Sequence, residues 1–172
     1  ELLERMPPFL TGGDMIQDVS MEKSAFRDPP WRFEAGTPHI AGVIGLAEAV
    51  RYLEGIGMDA IAAYEQTLAR EGWRILSTVQ GIHIMGPLKP EDRVGLFAFS
   101  LDGIHAHDVG SFFDERGLMI RVGDHCAKPL HKKYKIPASS RISAYFYNDV
   151  SEMEQAVGAL TEMIDLFRRA QK

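Results

Sequence analysis

From Pro38 onward, apolar and polar residues fall into clear periods. Val43, Leu46, Val50 and Leu53 recur at helical spacing, and Gly55 or Gly57 ends that helix. Asp59 opens a second helix with Ile61, Tyr64, Leu68 and Ile75 on one face. GIHIMGP reads as a strand, and LKPEDR as a turn built around Pro90. The run VGLFAFSL is almost continuously apolar, which predicts a strand buried on both faces. HDVGSFFDERG predicts a short helix stopped by Gly117, LMIRV another strand, and CAKPLHKKY a helical turn before the loop at Pro137. RISAYFYN predicts a last strand. Ser151 and Glu154 form a capping box for a final helix whose stripe is Met153, Val157, Leu160, Ile164 and Phe167. Strands with interspersed and flanking helices predict a two-layer α/β domain, a sheet covered by helices.

Residues 1–38 break this pattern. They hold Pro7, Pro8, Pro29, Pro30 and Pro38 and no sustained helical period. DMIQDVSMEKSAF is expected to fold as a short hairpin, and RDPPWRFEAGTPH to be extended or turning, because residues before proline avoid the helical region. The segment reads as an arm that orders against something else, or else as a flexible terminus. It opens with ELLERMPPFLTGG, like a helix end entered partway through, so the chain is expected to be a piece of a longer protein.

Composition narrows the classes. A 172-residue chain with 45% hydrophobic residues can bury a core of its own. A net charge of −5 gives no footprint for nucleic acid or an anionic membrane. No apolar run approaches the roughly 20 residues of a membrane helix. A single cysteine forms no internal disulfide, which points to the reducing cytoplasm.

That cysteine, Cys126, is the first candidate for chemistry. A lone thiol is either a small buried hydrophobe or a nucleophile. Arg121, His125, Lys128, His131, Lys132 and Lys133 crowd it in sequence, and cations beside a thiol raise its reactive form and argue against burial. Gly123 opens the loop that presents it. Arg141 begins an apolar strand and offers a fork for a carboxylate, or else is an ordinary strand-edge charge. The segment His105, Ala106, His107, Asp108 offers metal ligands on one reading and a helix cap at Asp108 on the other. RFEAGTP presents backbone amides, at Gly36 among others, and the Thr37 hydroxyl to a phosphate. There is no G-x-S-x-G, P-loop or H-E-x-x-H.

PWRFEAGTP, IGLAEAVRYLEGIG, HAHDVGSFFDERGLMIRVGDHCAKPL and RISAYFYND, in this order, resemble the C-terminal part of a group II cysteine desulfurase. These are the SufS/CsdA-like enzymes, also called selenocysteine lyases, of the class V aminotransferases. The segment R-x-G-x-H-C-A-x-P-L carries most of the resemblance. It implies the small C-terminal domain of a fold-type I pyridoxal 5'-phosphate enzyme over residues 39–172, with residues 1–38 as an extended arm or remnant of the large cofactor domain. The activity implied is removal of sulfur from L-cysteine or L-selenocysteine, leaving alanine and a protein persulfide for iron–sulfur cluster biogenesis.

By the same resemblance, Cys126 is the persulfide-forming nucleophile and His125 its proton-handling neighbour. Arg141 binds the substrate carboxylate and Arg121 helps line the site. Thr37 and Gly36 contact the cofactor phosphate of the neighbouring subunit in a homodimer. No metal is implied within the chain, although His107 matches a residue that engages the zinc of a SufE- or SufU-like sulfur acceptor. Asp124 departs from the family, in which many members carry a second histidine, and its charge is expected to oppose the thiolate. The Schiff-base lysine and the residues that hold the cofactor ring belong to the family's large N-terminal domain. The resemblance therefore implies that this chain needs that domain as a partner and does not hold the cofactor alone. The alternatives are a cofactor-free sulfur-accepting or partner-docking domain, and a Cys-His hydrolase, for which no orienting third group is visible.

Overall fold

The computed structural model describes residues 1–170. The chain forms two compact units, Glu1–Ile56 and a second that begins at Gly57. The first opens with a single helical turn, α1 (Leu2–Arg5), followed by the antiparallel hairpin β1 (Ile16–Val19) and β2 (Ser24–Phe26). DMIQDVSMEKSAF is thus the hairpin its sequence predicts. Met15 is fully buried, and backbone bonds from Arg27 to Met15 and from Gly36 to Gly13, both 2.9 Å, tie the segment to itself. Trp31–Phe33 makes a 3-10 turn before helix α2 (Ile40–Ile56). The helix ends one residue before Gly57, whose φ of +96° a side chain rarely adopts. None of its residues is buried, so the expected stripe at Val43, Leu46 and Val50 lies exposed.

The second unit holds helix α3 (Met58–Leu76), strand β3 (Ile82–Ile84), a 3-10 turn at Pro90–Asp92, and strand β4 (Leu96–Leu101). Helix α4 (Ala106–Asp114), strand β5 (Arg121–Gly123), helix α5 (Lys128–Tyr134), strand β6 (Ser139–Ser143) and helix α6 (Val150–Ala170) complete it. The four strands form an antiparallel sheet in the order β3-β4-β6-β5. Helices α3, α4 and α6 cover one face, around Leu76, Phe97, Phe99, Val109, Phe113, Met153 and Leu160. This is the sheet covered by helices that the periods predict. No helix among the described residues is long and apolar enough to cross a membrane.

Four local expectations are corrected. In β4 only alternate residues, Phe97, Phe99 and Leu101, are buried, so the apolar run does not mark a strand covered on both sides. The last strand begins two residues earlier than RISAYFYN and stops at Ser143, after which Tyr145 and Asn148 close a turn. Helix α6 is capped by Asp149, not by a Ser151–Glu154 box: its carboxylate accepts from the amides of Ser151 at 2.8 Å and Glu152 at 3.3 Å. The Ser151 hydroxyl also donates to it, and this bond is the main cause holding the Asp149 carboxyl below the ordinary range. Helix α3 starts at Met58, with Gly57 before it and Asp59 inside the first turn, where a negative charge suits the helix dipole.

Two contacts fix how α3 lies on the sheet. Arg93 is buried, stacked 4.6 Å over the Trp73 ring, and donates to the carbonyls of Pro87 and Met85. Burial lowers its pKa without removing its charge, and the two carbonyls and the indole face satisfy it. Gly72 faces Phe97 so closely that an added Cβ would come within 2.6 Å of the ring. Gly72→Ala gains about 1 kcal/mol of helix propensity but overpacks a core ring, typically at a cost of about 1–3 kcal/mol. We expect net destabilisation, read as a lower urea midpoint with an unchanged slope. A more stable variant would show that α3 is free to shift.

Candidate active site

Strand β6 lies between β4 and β5 and sets the site. Ser140 and Ile142 are buried towards the helices, so Arg141 between them points to the opposite face of the sheet. There it pairs in register with Ala98 of β4 and Arg121 of β5. Two guanidinium-bearing residues therefore stand directly opposite one another on adjacent strands. Neither forms an ion pair with a carboxylate among the described residues, and the buried Nε of Arg141 has no hydrogen-bond partner. Like charges placed this way repel, which an anion between them reverses.

The loop after β5 brings the thiol to this pair. Cys126 is exposed, which rules out the reading of it as core filler, and Arg121 Nη2 donates to its sulfur at 3.7 Å. His125 and Cys126 both have left-handed backbone, with φ of +53° and +59°. Such residues cost of order 1–3 kcal/mol each and persist only where neighbours over-determine them. Here Asp124 supplies part of the restraint: its Oδ1 accepts from the Cys126 amide at 3.1 Å, and its carbonyl accepts from the Ala127 amide at 2.8 Å. The residue expected to act through its charge is thus a loop cap. On the other side of the thiol, α5 begins at Lys128. His131, one turn along, is buried and bonds both Ala127 O, at 3.2 Å, and Ser139 Oγ, at 2.9 Å.

His125 is half-buried, and both of its ring nitrogens are enclosed without a partner. The Ser139 backbone nearby slightly favours its charged form, but no hydrogen bond of ordinary geometry forms. Burial first, then the charges of Arg141, His131 and Arg121, hold its pKa below that of an ordinary histidine. The ring is therefore neutral where Cys126 and the two arginines meet, and it is able to accept a proton there. Its ring lies 5.8 Å from that of His131.

The other predicted residues lie elsewhere. His107 is exposed in the first turn of α4 and lines a shallow cavity with Gly110, Ser111 and Val122. The cap of that helix is His105 rather than Asp108: its Nδ1 accepts from the His107 amide at 3.3 Å. Among the described residues no group of three or more His, Cys, Asp or Glu is gathered for a metal ion. Gly36 and Thr37 belong to the first unit. Gly36 has φ of +83° and open space where a Cβ would stand, although its amide is taken up by Gly13. Thr37 is exposed, and its hydroxyl makes no hydrogen bond among the described residues. These two residues fit the edge of a phosphate, with one hydroxyl and a close approach to backbone, but they do not form a full cradle.

The neutral His125 has a consequence for stability. Between the ordinary histidine value of about 6.5 and its lower folded value, the unfolded chain binds more protons than the folded one. Stability from this group is complete above about pH 6.5 and is lost as the pH falls through that window. His125→Gln is expected to flatten the fall in urea midpoint from about pH 7 to 5 relative to the parent chain. An identical slope in both proteins would place the acid sensitivity elsewhere.

Residues 1–156 match the aminotransferase class-V family. The chain is 46% identical over 169 residues to a probable cysteine desulfurase 2 of Mycobacterium leprae, covering 98% of this chain and 40% of that protein. Among solved structures it is similar to the apo cysteine desulfurase of Thermococcus onnurineus, with a TM-score of 0.85 and 38% identity over 92% of this chain and 39% of that one. It is also similar to the Escherichia coli cysteine desulfurase CsdA (S-sulfonic acid), with a TM-score of 0.86 and 32% identity over 96% of this chain and 40% of that one. The chain thus spans about 40% of the length of the relatives it matches. With the family match running through most of its residues, this chain belongs to the aminotransferase class-V family, and the relatives it matches in part are named cysteine desulfurases.

Proposed function

We propose that the chain is the C-terminal portion of a group II cysteine desulfurase, in which Cys126 takes sulfur from L-cysteine, or selenium from L-selenocysteine. The observation that carries this reading is the exposed Cys126 sulfur 3.7 Å from Arg121, with Arg141 directly across the strand pair. In the balanced reaction the Cys126 thiol and L-cysteine give the Cys126 persulfide and L-alanine. Arg141, unpartnered at Nε, takes the substrate carboxylate as a fork, and Arg121 lines the same face. That clamp fixes the substrate sulfur against Sγ, which is the proximity contribution to the rate. His125, held neutral, accepts a proton beside the sulfur. Pyridoxal 5'-phosphate, when bound, supplies the electron sink that lets the substrate carbon–sulfur bond break.

On this reading residues 1–38 are a remnant of the large cofactor domain and residues 39–172 form the small domain. Gly36 and Thr37 touch the cofactor phosphate of the neighbouring subunit of a homodimer. The lysine and ring-holding residues reside in the large domain, so the isolated chain neither retains cofactor nor turns over substrate. The persulfide serves iron–sulfur cluster biogenesis in the cytoplasm, and a SufE- or SufU-like acceptor collects the sulfur. The exposed His107 is available to that acceptor's zinc.

In the enzyme that carries this chain, Cys126→Ala is expected to abolish sulfur transfer and leave cofactor absorbance intact. Loss of the absorbance instead would make the thiol structural. Arg141→Ala is expected to cost about 2–3 kcal/mol of substrate binding, roughly 30- to 150-fold in KM for L-cysteine. An unchanged KM would remove Arg141 from the carboxylate site. The isolated chain mixed with pyridoxal phosphate is expected to show no protein-bound cofactor band. A bound band would place the cofactor site within these residues and favour a self-contained domain.

A further inference from the structure

We propose that His131 and Ser139 are positioning residues that hold the Cys126 loop against the arginine pair. The inference rests on the reading of Cys126 as the sulfur acceptor, but the lock itself is visible in the hydrogen bonds. The carbonyl of Ala127, the residue after the thiol, accepts from three donors: the Leu130 amide at 3.0 Å, the His131 amide at 3.1 Å and His131 Nδ1 at 3.2 Å. A carbonyl oxygen only accepts, so Nδ1 carries a proton and donates to it. Nε2 pairs with the Ser139 hydroxyl at 2.9 Å. Ser139 is fully buried and His131 is 5% exposed, so neither bond has water to replace it.

The relay Ser139 to His131 to Ala127 therefore fastens the loop to β6. Ser139 and Arg141 are alternate residues of that strand, so the loop anchor and the proposed carboxylate clamp are carried by one rigid element. Asp124 ties the near side of the thiol through the Cys126 amide, and the relay ties the far side. Between these ties lie the two left-handed residues, whose backbone would otherwise relax. Relaxation would carry the sulfur away from Arg121 while leaving Arg141 in place. The expected signature is a defect in turnover without a defect in substrate binding.

The test compares Ser139→Ala, Ser139→Thr and His131→Leu in the enzyme that carries this chain. Ser139→Ala removes one oxygen atom from the core, and it serves as the deciding variant should His131→Leu not fold. In Ser139→Ala, amide exchange at Ala127 and Leu130 is expected to quicken by about five- to tenfold, with Phe99 and Ile142 in the β4–β6 ladder unchanged. The kcat for L-cysteine is expected to fall by a similar factor, with KM held within about twofold. Ser139→Thr keeps the hydroxyl and is expected to restore both. In the parent protein the His131 ring nitrogens are expected to show the Nδ1-protonated pattern in a long-range nitrogen–proton spectrum. Unchanged exchange at Ala127 and Leu130, a ring protonated at Nε2 alone, or a KM that rises in step with the loss of kcat would each overturn the proposal. If Cys126→Ala retained full sulfur transfer, the functional reading would fall, while the exchange data would still decide whether the lock exists.

Discussion

Arg121 and Arg141 face one another across the β5–β6 pair, and most of the second unit can be understood from that juxtaposition. Two like charges directly opposite on adjacent strands are unfavourable by the rules of cross-strand pairing. Nothing acidic among the described residues neutralises them. The sheet tolerates the arrangement because its other face is heavily stabilised: Phe97, Phe99 and Ile142 bury against helices α3, α4 and α6 on that side. The strands are thus held in register by one face and left free to carry chemistry on the other. The repulsion is an unmet demand for an anion, and it explains why a negatively charged substrate group would be drawn to this place.

The thiol loop solves a related problem of restraint. On the proposed reading Cys126 is a nucleophile that must reach its target, and a loop that wanders loses the benefit of proximity. Here the turn is forced into two consecutive left-handed residues, and the neighbouring bonds hold it there. Asp124 is the part that looks wrong from sequence alone, since its charge stands two residues before the sulfur. In the structure one of its carboxylate oxygens is engaged by the Cys126 amide, so the same side chain that brings the negative charge also fixes the backbone that presents the thiol. A histidine at this position would offer a different cap, so the departure changes how the loop is held, not whether it is held.

How much of this was legible in the residues depended on distance along the chain. The helices α3 and α6 were readable because their stripes repeat over many turns, and the β1–β2 hairpin because its turn is local. Strand β4 misled because Leu96 and Ala98 are apolar on the open face as well, so alternation was masked. Its hydrophobicity on that side does not reflect helix packing. The capping of α6 was misplaced by two residues because Asp149, Ser151 and Glu152 all carry groups able to cap, and geometry alone chooses among them. Cys126, His125 and the two arginines were each identifiable by type and by family resemblance. That Arg121 and Arg141 oppose one another was not, since cross-strand register has no local signature when the strands are joined through a helix.

His131 shows the same limit in the other direction. In sequence it is one of several cations crowding the cysteine, and its expected contribution is charge. In the structure it is buried, with both ring nitrogens bonded, and it also anchors the loop. The signal that distinguishes it from Lys132 and Lys133 is its position one helical turn after Ala127, which turns its ring back over the start of α5. Lysines one and two residues further along the same helix point elsewhere and remain exposed. The charge run along α5 therefore divides by helical phase: His131, in phase with the loop, becomes part of its scaffold, and Lys132 and Lys133 stay exposed.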